Sequence, residues 1–289
     1  MQKIDRWKWL IILCLSVGYV QASELPDSTV VQVSTIQALL KGIYDGDTTF
    51  KQLKTLGNFG TGTFNGLDGE IVAVDGQFYQ VKGDGSVLMV PDTMKTPHAT
   101  VHFFHTDKIV TLNTPIQNYK HFQNYLDQHL PSRNRPYAFK ITGHFDELKT
   151  RSVYKQSQPY PPAVEVVTYQ SIFEFKNVTG TALGYWFPDY LDKITILGYH
   201  LHFISENKKN GGHVLNCRLS KATIAIDFID QVHLFIPQNA TFQKADLTSY
   251  SREEIEKVKG QSEAAHAQRL RKDYQPHPKK SDFWQKSDF

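Results

Sequence analysis

The stretch Ile196-Leu197-Gly198-Tyr199-His200-Leu201-His202-Phe203-Ile204 reads as a β-strand. Successive side chains of a strand point to opposite faces, so His200 and His202 point the same way. Ser205 through Gly212 is polar and ends in Gly-Gly, which suits a loop that returns the chain. A second run then begins, His213-Val214-Leu215-Asn216-Cys217-Arg218-Leu219. If the two runs pair, His200, His202 and His213 converge on one face. Three imidazoles with an open fourth position form the ligand set of a catalytic zinc rather than of a closed structural one. Iron and manganese suit the same three ligands, because affinity alone does not settle metal identity. The competing reading of the spacing alone is three ordinary histidines on a polar sheet face.

Outward from this stretch the chain is rich in strands. Glu70-Ile71-Val72-Ala73-Val74 and Gln77-Phe78-Tyr79-Gln80-Val81 flank Asp75-Gly76, a strong hairpin signal. Strands are expected at 30–33, 100–105, 137–145, 164–167, 172–175, 223–228 and 232–236. Ser34-Thr35-Ile36-Gln37 reads as a capping box that opens a helix carrying Leu39, Leu40 and Ile43. Thr114-Pro115 reads as the start of another helix, with Ile116, Tyr119, Phe122 and Leu126 on its apolar face. A third helix is expected over 253–268. The glycine-rich segment 57–70 lacks the Gly-Lys-Ser/Thr ending of a phosphate loop. The expected class is therefore α+β and β-rich, two packed mixed-sheet or barrel-like halves with a few helices. Pro159, Pro161 and Pro162 suggest a boundary between an N-terminal part, 23–158, and a β-rich part bearing the histidines, 159–262. Residues 263–289 are polar, repeat Lys-Ser-Asp-Phe, and read as a flexible tail.

The leading residues 1–22 read as a secretory signal. Lys3, Arg6 and Lys8 precede an apolar run from Trp9 to Val20, and Val20-Gln21-Ala22 suits cleavage. Export to the periplasm or the extracellular space is the expectation, with no membrane association after cleavage. The formal net charge is +3, and Lys3, Arg6 and Lys8 against Asp5 account for most of it. The remainder is close to neutral, which offers no electrostatic footprint for nucleic acid. Cys217 is the only cysteine beyond residue 22, so no intrachain disulfide is available; it reads as a packed thiol.

Six separated blocks then resemble the bacterial acetolactate decarboxylases. They are Tyr44-Asp45-Gly46-Asp47; Gly62-Thr63-Phe64-Asn65 with Leu67-Asp68-Gly69-Glu70; Pro131-Ser132-Arg133-Asn134; Thr150-Arg151-Ser152-Val153; Gly198-Tyr199-His200-Leu201-His202-Phe203; and Gly211-Gly212-His213-Val214. The likeness covers roughly residues 31–256. It implies zinc on His200, His202 and His213, with Thr63, Glu70 and Arg151 lining the active site. It implies decarboxylation of 2-acetolactate to (R)-acetoin through a metal-stabilised enediolate, in a homodimer whose sheet continues across the interface. It also implies an active-site glutamate near the C-terminus. There the chain departs, because ungapped matching puts Lys259 at that position. Glu263 is the expected substitute and Glu256 the alternative. The rival reading is an exported metal-binding protein of the same fold that acts on another hydroxy-keto acid or is not catalytic.

Overall fold

Asp75 and Gly76 both adopt left-handed backbone, with φ of 52° and 77°. That is the geometry of a two-residue hairpin turn whose twist matches its strands. The turn sets the register of the two runs around it, from Glu70↔Val81 to Val74↔Gln77. This hairpin seeds the larger of the two main sheets, beside which Thr48–Thr49 and Lys95–Thr96 form a separate two-stranded pair. The computed structural model describes residue 26, residues 28–249 and residues 252–259. The expected signal, Glu263 and the tail after it lie outside the described residues.

The first nine strands are β1 Thr29–Val33, β2 Thr48–Thr49, β3 Phe59–Thr63, β4 Glu70–Val74, β5 Gln77–Val81, β6 Val87–Met89, β7 Lys95–Thr96, β8 His98–His102 and β9 Lys108–Thr111. Then come β10 Tyr137–Ser152, β11 Ser171–Phe187, β12 Gly198–Ser205, β13 Gly211–Phe228 and β14 Gln231–Phe235. The α-helices among the described residues are α1 Ile36–Leu40, α2 Phe50–Leu53, α3 Tyr119–Asp127, α4 Ala163–Val166, α5 Ala240–Lys244 and α6 Arg252–Val258. None of them is long and apolar enough to cross a membrane.

Seven strands form one mixed sheet in the order β14-β1-β8-β3-β4-β5-β6, with only β14 parallel to its neighbour. The second sheet runs β10-β11-β12-β13-β9, and β10 also pairs with β13. Four strands thus close on themselves as a barrel. Its interior holds Phe139, Ile141, Phe145, Leu201, Phe203 and Ile224, joined by Tyr119, Phe122 and Leu126 of α3. Alternate residues of the same strands face outward onto the first sheet. There Leu183, Tyr185 and Ile204 meet Val30, Phe59, Val72 and Val81. Each fully buried side chain of this size contributes roughly 1.5–3 kcal/mol. The α+β, two-half architecture is as expected, and the space between the halves is where the site forms.

Four local expectations are corrected. Helix α3 begins at Tyr119 rather than Pro115, because Asn118 caps it through a 2.8 Å bond from the His121 amide. Ile116 instead bridges to Leu219. Helix α1 is capped by Thr35, which accepts from the Ala38 amide, while Ser34 sits at φ 61°. Residues 164–167 are helical rather than extended, since Ala163 and Val166 pack with Ile36 and Leu39 at helical spacing. Gly211-Gly212 is not the turn but the start of β13. A Cβ on Gly212 would lie 2.5 Å from the Arg151 carbonyl oxygen, so glycine permits the close approach of β13 to β10. The proline cluster near 159 lies between β10 and β11, which are neighbours in one sheet.

Candidate metal centre and active site

Strand pairing builds the site in two rows. In the barrel sheet His202 of β12 pairs with His213 of β13, and His213 pairs with Arg151 of β10. His200 lies two residues before His202 on the same face. In the seven-stranded sheet Glu70 of β4 pairs with Thr63 of β3. Contacts between sheets join the rows. Arg151 Nη1 donates to Glu70 Oε1 at 2.5 Å, and Glu70 Oε2 lies 3.4 Å from His202 Nε2. Every member of both rows is buried.

The three histidines are those the spacing selected. Their candidate ligand atoms all lie within 4.8 Å of one another. Ring centroids are 4.8 Å apart for His200 and His202, 4.9 Å for His200 and His213, and 5.5 Å for His202 and His213. Two tautomers follow from the backbone. His202 Nδ1 meets the Ile71 carbonyl at 2.6 Å, and His213 Nε2 meets the Lys259 carbonyl at 3.0 Å. A carbonyl only accepts, so those nitrogens carry the hydrogens and leave lone pairs on His202 Nε2 and His213 Nδ1. Both of those atoms are buried and make no hydrogen bond among the described residues. Orphaned lone pairs of this kind are costly unless something occupies the space between them. Burial holds the His200 and His213 imidazoles well below the usual histidine range, and burial also lowers His202 against the upward pull of Glu70. Neutral rings with ring N–H groups fixed by carbonyls are what a divalent metal requires of its histidines. The donor set therefore fits a metal ion.

Arg151 is tied at two of its three nitrogens. Nη1 holds Glu70, Nη2 donates to the Val258 carbonyl at 2.9 Å, and Nε is buried with no hydrogen-bond partner among the described residues. Thr63 donates its hydroxyl hydrogen to the Gly69 carbonyl at 2.7 Å, so toward the site it can only accept. The end of α6 closes the third side. Val258 and Lys259 supply the carbonyls that hold Arg151 and His213, and the Lys259 ammonium donates to the Leu197 carbonyl at 2.9 Å. Lys259 is buried. The side chain of Glu256 and all of Glu263 lie outside what the structure describes. Sequence reasoning missed the backbone partners Ile71, Val258 and Lys259, since a carbonyl leaves no signature in residue type.

Cys217 is buried, and burial pushes its thiol up to about 12, consistent with a packed residue. His102 of β8 is buried between the halves. Its Nε2 donates to Asp227 Oδ2 at 3.1 Å and its Nδ1 accepts from the Tyr185 hydroxyl at 3.0 Å.

Comparison with known proteins agrees with this geometry. The sequence profile of the family described as Alpha-acetolactate decarboxylase matches residues 30–249. The protein of that name from Methanosarcina mazei is 44% identical over 227 residues, 78% of each chain. The one from Bacillus subtilis is 40% identical over 224 residues, 78% of this chain and 88% of the relative. The crystal structure of the Bacillus subtilis alpha-acetolactate decarboxylase superposes with a TM-score of 0.78 at 38% identity, covering 80% of this chain and 99% of that one. With a two-sheet fold, a buried three-histidine centre and likeness over most of its length, this chain belongs to the alpha-acetolactate decarboxylase family.

Proposed function

We propose that this protein decarboxylates 2-acetolactate to (R)-acetoin and that the metal on His200, His202 and His213 is zinc. One observation carries the reading: three neutral imidazoles, two of them oriented by backbone carbonyls, meet the Glu70–Arg151 pair in a buried site, in a chain of this family. The relatives' name supports the substrate, and an all-imidazole set with an open position supports a catalytic zinc. When bound, the metal supplies Lewis acidity toward the substrate's oxygens.

The chain's own residues do the rest. Arg151 orients the substrate carboxylate through the N–H groups left over from its bonds to Glu70 and Val258. As carbon dioxide leaves, the bond between the carboxylate carbon and the hydroxyl-bearing carbon breaks. Its electron pair passes into the neighbouring ketone to give an enediolate, and the carbon that lost carbon dioxide takes up a proton. Glu70 serves as the acid–base group, with Oε1 anchored by Arg151 and Oε2 turned toward His202. Thr63 braces Glu70 from the adjacent strand. The C-terminal carboxylate is assigned to Glu263, with Glu256 as the alternative. Comparing Glu256→Gln with Glu263→Gln separates them, and equal, near-wild-type rates remove both.

Lys259 favours a second reading, the same centre acting on another hydroxy-keto acid, because it adds a buried cation beside His200. The deciding experiment measures acetoin released from racemic acetolactate, with chelator and with added zinc. Chelator-sensitive acetoin that returns with zinc supports the decarboxylase reading. No acetoin from zinc-loaded, folded protein overturns it. We also read the protein as an exported homodimer. Residues 1–22 support export, and activity in culture supernatant tests it. Leu88 and Met89, exposed on the edge strand β6, support a dimer built on that edge.

A further inference from the structure

Strand β8 opens with a histidine that the mechanism above does not use. His98 pairs with Thr63, and Thr63 pairs with Glu70. Residues directly opposite in a sheet point to the same side, with Cβ atoms about 4.5–5.5 Å apart. Glu70, Thr63 and His98 therefore form one row across three strands, on the face from which Glu70 reaches Arg151 and His202. His98 is 3% exposed. It is near enough to His200 to disfavour protonation of that ring.

The tautomer of His98 is set by Gln32. Gln32 Oε1 accepts from the Thr100 hydroxyl at 2.7 Å, and Gln32 Nε2 faces the Val33 and Ser34 carbonyls at 3.2 and 3.1 Å. The amide is thereby oriented, and its Nε2 lies 3.1 Å from His98 Nε2. An amide nitrogen has no lone pair to offer, so His98 Nε2 accepts and Nδ1 carries the ring hydrogen. Burial pushes the His98 pKa down to about 4, so the ring is neutral near pH 7. No described residue hydrogen-bonds Nδ1. Because His98 Nδ1 is not among the sealed-off buried atoms, this fixed N–H without a protein partner is open to an acceptor from outside the chain.

We propose that His98 is a specificity-determining residue of this site, whose Nδ1–H binds an oxygen of the hydroxy-keto acid from the side of the first sheet, as Arg151 binds its carboxylate from the second. The proposal rests on the decarboxylase reading for its substrate. Zinc-loaded wild type, His98→Phe and His98→Gln are compared by KM and kcat for racemic acetolactate and by bound zinc. Calorimetry adds their affinity for 2-hydroxy-2-methylpropanoate, an α-hydroxy acid without the ketone. H98F is expected to keep its zinc and to raise KM about tenfold, the scale of one lost hydrogen bond. H98Q, which still offers an N–H, is expected to recover part of the loss. Weaker analogue binding by H98F assigns the contact to the carboxylate or hydroxyl; unchanged analogue binding with a raised KM assigns it to the ketone. Unchanged KM together with unchanged analogue affinity overturns the proposal, and so does loss of zinc from H98F. If H98F does not fold, His98→Leu is judged by the same criteria. Absence of acetoin from wild type overturns the decarboxylase reading instead, and the analogue affinities then decide His98 by themselves: unchanged in H98F, they overturn it.

Discussion

Arg151 holds Glu70 with one terminal nitrogen and the Val258 carbonyl with the other, which fixes the direction of its remaining N–H donors. Lysine has the charge but not the planar fork. Arg151→Lys is expected to retain metal and lose turnover by about a hundredfold, the cost of mispositioning a bound reactant. Metal analysis beside steady-state rates checks this, and normal turnover would remove Arg151 from the mechanism. His98 gives the clearest pH effect at this scale. Its folded-state pKa of about 4 lies below the usual 6.5, because burial disfavours the charged ring. Between those values the unfolded chain binds the proton that the folded chain refuses. Its contribution to stability is therefore present above pH 6.5 and is lost as the pH falls toward 4. Thermal melts across that window are expected to show Tm falling with acidity, and falling less steeply in H98F. Parallel slopes would contradict the assignment.

At the scale of elements, the strands of the barrel sheet bring the three histidines together, and the edge strand β6 is the proposed place of association. β6 pairs on one side only and exposes Met89 by 66%. An open edge with apolar side chains invites another strand, and a charge on it opposes pairing. Met89→Lys is expected to shift the protein from dimer to monomer in light scattering without changing its circular dichroism. A dimer that persists would move the interface elsewhere. The helices were harder to read in the sequence than the strands. Pro115 looked like a helix start, but the segment from Ile116 is claimed by pairing with Leu219 until Asn118 provides a cap. The segment 164–167 is β-branched and valine-rich, yet it turns helical because α1 offers it an apolar groove.

Across the whole molecule, a buried polar joint ties the two halves together away from the metal centre. His102 of the first sheet bonds Asp227 and Tyr185 of the second, and Asp227 also accepts from the His105 amide at 2.6 Å. Asp227→Ala leaves the buried His102 ring N–H without its acceptor and frees the His105 amide at the edge of the joint. The expected loss is about 2–4 kcal/mol of stability in urea denaturation, and a change near zero would show that the joint is dispensable. The hairpin at Asp75-Gly76, the shared face of His200 and His202, and the convergence of His213 were legible in the sequence, because they depend on a two-residue period and short connections. The chain by itself also carried the motifs of its family. Only the tertiary structure decided that Glu70 lies against Arg151, that the Ile71 and Lys259 carbonyls set two imidazole tautomers, and that His98 joins the row of Glu70 and Thr63. Strand period says which face a side chain takes but not which strand lies opposite. The Arg151–Glu70 and His202–Ile71 contacts span 81 and 131 residues, so it is the packing of one sheet on the other that brings them together.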